Sequence, residues 1–250
     1  MDELLENPVW NALHTGNKEM AQGDGEVRFF PEDIAPFVGM KKVTPENYEH
    51  LYELIPFGRV VAVVAPFETD IPDQWKVVRK MLGYQMVCGD PLAASRVDLL
   101  PVDAVPANLL PDATPRPEPK VSFDLTPLTD QHVPAMLELT ALTKPGPFLN
   151  RTIAFGSYFG IFSGGKLVSM AGYRLAVGRH REISAVCTHP DHLGNGYAQV
   201  LIRHLMASIV AQGEVPMLHV LQTNAGAIRI YEKLGFRVVR DMRFDMIEKG

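Results

Sequence analysis

The sequence predicts a mixed α/β protein of the α+β kind, built on a mixed sheet, and three observations carry that prediction. Runs of β-branched residues, such as Arg59 to Ala65 (RVVAVVA), read as buried strands. Helices with recognisable start signals lie between such runs, as at Thr44-Pro45. Residues 182 to 202, EISAVCTHPDHLGNGYAQVLI, read as a strand, a tight glycine turn and a helix in succession.

The elements follow in chain order. A helix is expected from Val9 to Ala21, opening after Asn7-Pro8, and a short strand at 27–30. Thr44 is the N-cap of a helix that runs to Leu54. Asn47 stands three residues after it, where a capping box would have Glu or Gln. After the strand at 59–65, a helix is expected over Pro72 to Leu82 and a strand over Tyr84 to Cys88. In the second half, strands are expected at 121–125, 158–162, 166–174, 182–188 and 217–221, with one or two more over 236–246. Ser163-Gly164-Gly165 marks a hairpin. Helices are expected from Thr129 toward Leu142, from Gly194 to Gln212 with Val200, Leu201, Leu205 and Ile209 on one face, and from Asn224 to Leu234, closed by Gly235.

Six prolines fall between Pro101 and Pro119. Proline fixes φ and removes a donor, so this stretch reads as an extended linker. The expected organisation is a smaller α/β domain over 1–100, a Pro-rich linker over 101–120 and a second domain over 121–250; a long surface loop within one domain is the alternative.

The chain has 250 residues, 46% hydrophobic and 21% charged, ordinary values for a globular protein. Its net charge is −5 and it has no Lys/Arg run, so nucleic acid is not an expected partner. No stretch of 18 apolar residues suggests a membrane span, and the acidic opening MDELLENPVW does not resemble a signal peptide. Two cysteines without CxxC spacing predict neither a disulfide framework nor a zinc cluster, and point to the cytoplasm.

The segment 182–202 is the chemically informative one. Its glycines let backbone N–H groups approach a phosphate closely, and the helix N-terminus adds a partial positive charge. A pyrophosphate is the natural guest. A dinucleotide fingerprint would need glycine where Gln199 stands, and a Walker loop would need GK[ST].

The pairing of this VxTHPxxxGxGYA segment with Asn224 and the later IYEKLGF run at 230–236 resembles the GNAT acyltransferase superfamily, and in particular its FR47-like branch. The resemblance covers about residues 121 to 250 and implies a GNAT fold there, with acetyl-CoA as co-substrate and no metal. A degenerate GNAT-like domain is one reading of the first half. The resemblance implies that Val186, Cys187 and Thr188 hydrogen-bond the pantetheine arm, that Leu193, Gly194, Asn195, Gly196, Tyr197 and Ala198 hold the pyrophosphate, and that Asn224 contacts the cofactor. Leu193 departs from the family's Gln or Arg. Tyr231 matches the tyrosine that protonates the departing thiolate, and Glu182 the position of a general base.

The acceptor site is implied near Phe148 and Arg151, with Arg174 a further candidate to meet a carboxylate. The implied activity is transfer of acetyl to a primary amine of a small metabolite, amino acid or peptide; a non-catalytic acyl-CoA-binding regulatory module is the alternative, and a homodimer stays open. Plainer readings stand beside these. Glu182 would be a strand-end charge paired with Arg179 or Arg181, Tyr231 a packing residue, His189 and His192 turn residues, and Cys187 and His219 core residues.

Overall fold

The structure is a computed structural model and describes residues 2–89 and 124–250. The proline stretch 101–120 and the first residues of the strand expected over 121–125 lie outside the described residues. The strands are β1 (Val27–Phe29), β2 (Phe37–Met40), β3 (Val60–Ala65), β4 (Trp75–Cys88), β5 (Thr126–Pro127), β6 (Phe159–Ser163), β7 (Lys166–Val177), β8 (His180–Thr188), β9 (Val215–Leu221) and β10 (Phe236–Lys249). The α-helices are α1 (Pro8–His14), α2 (Pro45–Leu54), α3 (Val133–Thr143), α4 (Tyr197–Ala211) and α5 (Ala225–Lys233). No described helix is long and apolar enough to cross a membrane.

All the described strands join one sheet, in the order β1-β2-β3-β10-β4-β9-β8-β7-β6-β5. Strands from the two halves alternate in its middle. The last strand, β10, lies between β3 and β4 and pairs antiparallel with both. β4 in turn pairs with β9 through Gly83–Val87. The expected boundary between halves therefore runs through a continuous ladder of backbone hydrogen bonds, whose groups must all be paired once buried.

α4 and α5 cover one face through Leu201, Leu205, Ile209 and Tyr231, packed on Ile183, Leu218, Val220 and Phe236. α1 and α3 cover the other through Val9, Leu13, Met136 and Leu139, packed against Leu175, Cys187 and Met217. α2 builds a third cluster with β1 to β3, where Tyr48 and Leu51 meet Val61, Val63 and Trp75. Its N-cap is Thr44, whose Oγ1 accepts from the Asn47 N–H at 3.3 Å.

The helix expected over 72–82 is instead part of the 14-residue strand β4. Its partner β10 runs alongside it for its whole length, from Trp75 opposite Lys249 to Cys88 opposite Phe236. That continuous ladder overrides local preference. Gly83, between the expected helix and the expected strand, marks a close approach: a Cβ there would lie 2.7 Å from the Phe244 ring and 2.8 Å from the Val220 oxygen. The helix expected over Val9–Ala21 stops at His14. The next residues turn to bond β7, where the Ala176 N–H donates to Asn17 Oδ1 at 2.8 Å and Thr15 Oγ1 donates to the Ala176 oxygen at 3.1 Å.

Strand β2 was not anticipated. All four of its residues are buried, so it shows no alternation to read. It passes so close to α1 that a Cβ at Gly39 would meet the Trp10 backbone at 2.5 Å. Gly39→Ala should therefore destabilise the fold by about 1–3 kcal/mol. A urea midpoint unchanged from the native protein would contradict this packing.

Candidate active site

The site begins with two strands that part. β8 and β9 run parallel and are paired only at His180–Glu182 with Val215–Met217. Beyond Glu182 they diverge and leave a cleft of about 650 Å³, walled by β8, β9, α4, α5 and the end of α3. The opening is reinforced by an irregularity in β8. Its register with β7 jumps between Ser184, opposite Gly172, and Cys187, opposite Met170. Ala185 takes φ +52 inside that jump. A left-handed non-glycine residue costs about 1–2 kcal/mol. The jump takes Ala185 and Val186 out of the ladder with β7, and both line the cleft.

At one end of the cleft, α4 begins at Tyr197 after Gly196, which has φ +78, with Gly194 at φ +81. No side chain caps this helix start. A Cβ at either glycine would meet nothing within 4 Å, so the backbone there is open on the outside. The first turn of a helix has N–H groups without intrahelical partners, and together with the helix dipole such a start suits a pyrophosphate. Leu193 and Ala198 line the cleft; Leu193 is 66% exposed. Asn224 also lines it and caps α5, its Oδ1 accepting from the Ala227 N–H at 3.1 Å. Cys187 and Thr188 complete the wall. Burial pushes the Cys187 thiol up to about 11, which suits a packed thiol and not a nucleophile.

Tyr231 is buried against Phe236, with ring centroids 6.0 Å apart, and lines the cleft. Burial pushes its hydroxyl up to about 12, with the Arg174 charge acting in the opposite direction. The phenol therefore holds its proton throughout the neutral range.

Glu182 differs from what its position predicts. It is 0% exposed and accepts from four donors. Arg174 reaches it with Nε at 2.9 Å and Nη2 at 2.5 Å, the Leu175 N–H at 3.2 Å, and His219 approaches Oε1 with Nδ1 at 2.7 Å. Burial alone would raise its pKa, but the Arg174 charge and His219 more than offset that and hold it well below the usual carboxylate range. A carboxylate so occupied has no lone pair free for a substrate proton. It corrects the expectation of a general base: Glu182 anchors Arg174. The partners expected for it also differ, because Arg181 pairs with Glu214 at 2.7 Å.

The row extends further. Gln85 of β4, opposite His219 in register, donates from Nε2 to the Leu5 oxygen at 3.0 Å and lies 3.1 Å from His219 Nε2. The Leu5 carbonyl can only accept, so the amide nitrogen faces it. The same nitrogen then donates to His219 Nε2, which leaves the ring proton on Nδ1, pointing at Glu182. Gln85 and His219 are thus part of the site, and neither was singled out as such from the sequence. Their signal is a polar residue at an inward position between apolar neighbours, Tyr84-Gln85-Met86 and Leu218-His219-Val220.

Of the expected acceptor residues, only Arg174 lines this cleft. Phe148 packs edge-on against Tyr158 in the core, with centroids 5.6 Å apart, and Arg151 pairs with Asp33 at 3.2 Å. Both border a separate open depression of about 730 Å³. Among the described residues, no three His, Cys, Asp or Glu side chains gather as a metal would require. His189 accepts from the Asp191 N–H at 3.2 Å within its turn.

A splayed parallel strand pair with an open, glycine-led helix start beside it makes an α/β fold with a cleft suited to a ligand that carries a diphosphate. Residues 158–244 match the family model of FR47-like protein. Over its full length the chain is similar to a GNAT-family protein from Novosphingobium aromaticivorans, with 30% identity, complete coverage of both chains and a TM-score of 0.81. It shares its fold with a GCN5-related N-acetyltransferase from Kribbella flavida (13% identity, 97% and 96% coverage, TM-score 0.55). It also does so with a GCN5-related N-acetyltransferase-like protein from Streptococcus suis (16%, 89% and 84%, 0.53). No curated protein matches it in sequence. The chain belongs to the GNAT family, whose reaction is acyl-CoA-dependent acetyl transfer.

Two outcomes test the site. Gly196→Val puts a β-branched residue at φ +78 over the proposed pyrophosphate seat and should reduce acetyl-CoA binding, measured by calorimetry, at least tenfold; native affinity would contradict the assignment. Glu182→Gln strands Arg174 and should cost about 3–5 kcal/mol at neutral pH. Because the folded pKa of Glu182 is depressed, its contribution is present above the unfolded value of 4.5 and is lost as pH falls below that toward the folded value. Denaturant titrations at falling pH should therefore show a loss in the native protein that the variant lacks.

Proposed function

We propose that the chain is an N-acyltransferase that passes acetyl from acetyl-CoA to a primary amine of a small metabolite, amino acid or peptide by direct attack. The observation that carries this reading is Tyr231, a phenol held in its protonated form in the wall of the splayed cleft. A departing thiolate needs a proton, and this one is positioned and retained.

The remaining roles follow from the geometry. The turn Leu193 to Ala198 and the first turn of α4 hold the pyrophosphate through backbone N–H groups. The strand from Val186 to Thr188 runs beside the pantetheine arm, and Asn224 meets it from across the cleft. A backbone N–H near Val186, on the irregular stretch of β8 that lines the cleft, steadies the oxyanion of the tetrahedral intermediate. The amine attacks the thioester carbon, the C–S bond breaks as Tyr231 gives its proton to sulfur, and the extra proton on the attacking nitrogen passes through water to restore the Tyr231 phenol.

No carboxylate side chain is among the described residues that line the cleft, and Glu182 is engaged beneath it. The amine therefore enters as the free base, its proton lost to water before binding.

Release of CoA thiol from acetyl-CoA in the presence of amino acids, polyamines, aminoglycosides and peptides tests the reading. Tyr231→Phe should lower kcat about 100-fold or more while leaving the acetyl-CoA affinity near native. An undiminished kcat would remove Tyr231 from the chemistry. Acetyl-CoA binding without release for any amine would favour a binding module.

A further inference from the structure

The cleft continues past the reaction centre onto a floor built largely by the first half of the chain. Cross-strand register sets Phe37 opposite Ala62, Ala62 opposite Met246, and Met246 opposite Arg79. Nearby, Phe244 stands opposite Met81. Phe37, Met81, Phe244 and Met246 all line the cleft and give it an apolar bed.

Charge is distributed unevenly over that bed. The formally charged side chains among the described lining residues are Arg79, Lys144 and Arg174, all cationic. Arg79 and Lys144 are exposed. Arg174 is the ordered one. Its guanidinium carbon lies 4.9 Å from the Phe37 ring centroid, and Nε and Nη2 are tied to Glu182. A guanidinium has five N–H donors, so two bonds to Glu182 leave three. No described group takes up Nη1, and the residue itself borders the cleft. The Glu182–His219–Gln85 row thus fixes one edge of a planar fork and leaves the other edge for a guest. Burial works against the Arg174 charge, but Glu182 more than offsets it and keeps the fork cationic. Such an edge matches a carboxylate bidentately. Arg79 and Lys144 add a positive field at the mouth that draws in anions.

Resting on the N-acyltransferase reading, we propose that the acceptor is an apolar α-amino acid, whose carboxylate is gripped by the free edge of Arg174 and whose side chain lies on the Phe37, Met81, Phe244 and Met246 bed. Arg174 and Tyr231 line the same cleft. A carboxylate on Arg174 therefore brings an amine one carbon away to the thioester.

The test uses the full chain, acetyl-CoA and matched acceptors: phenylalanine, methionine, their amides, phenethylamine and glycine. Thiol release should give kcat/KM for phenylalanine and methionine at least tenfold above their amides, phenethylamine and glycine. Arg174→Lys keeps a charge against Glu182 but loses the fork, and should erase the acid-over-amide preference while acetyl-CoA still binds. Should that variant fail to fold, the exposed pair Arg79→Ala with Lys144→Ala should lower the ratio of kcat/KM for phenylalanine to that for its amide severalfold at low salt and saturating acetyl-CoA. Amides or phenethylamine used as well as the acids would overturn the proposal and leave N-acyl transfer standing. No release with any of the acceptors, with acetyl-CoA bound, would overturn the transfer reading itself.

Discussion

The buried carboxylate of Glu182 is the constraint on which the rest of the site depends. It sits on the last residue pair that β8 and β9 share, so it lies at the vertex of the cleft. Its donors come from β7 and β9, and through His219 the row reaches Gln85 on β4 and the Leu5 carbonyl near the N-terminus. Four adjacent strands are thereby held in one register by side chains as well as by backbone. A buried ion pair is weak evidence for net stability, because desolvation offsets the attraction. What it supplies here is position. Only one arrangement satisfies all four donors, and that arrangement aims Arg174 into the cleft.

Strain and openness stand close to that vertex. Ala185 holds a left-handed conformation just beyond the last hydrogen-bonded pair of β8 and β9, and the helix start at Gly196 carries no side-chain cap. Both features work against the stability of an isolated fold, and both lie beside the cleft. Departures from local regularity of this kind gather at functional sites and persist when surrounding packing determines them. Here that packing is the close-set face of α4, where Leu201, Leu205 and Ile209 are fully buried.

The second half of the chain was legible because its signals are local. Glycine turns, a capping asparagine at 224 and a hydrophobic stripe along α4 each specify their element within a few residues. The first half was less so, because its structure is set at a distance. Trp75 to Leu82 becomes strand through its ladder with β10, at the far end of the chain. Phe37 to Met40 is buried throughout and shows no alternation. The site followed the same division. The glycine-led turn before α4 could be read from Gly194 and Gly196, and the helix that carries Tyr231 into the cleft wall from its capping Asn224. The role of Glu182 could not, because the partners that neutralise it come from positions 174 and 219, and one further along the row from position 85. Phe148 and Arg151 were placed at the acceptor site by their order in the chain, yet the fold turns one into the core and pairs the other with Asp33.

The contribution of the first half is therefore structural and chemical together: it supplies much of the floor of the cleft, one terminus of the polar row, and a strand inserted beside the last strand of the chain. Glu182, with four hydrogen bonds to accept, anchors Arg174 and is left no free site for a substrate proton. The most direct measurement is the pH dependence of kcat/KM for two acceptors whose amines differ in pKa by about two units, which reports ionisations of the free enzyme and free substrate. The rising limb should shift with the acceptor, following each amine. A rising limb at one fixed pH for both acceptors would reveal an enzymic base and contradict it.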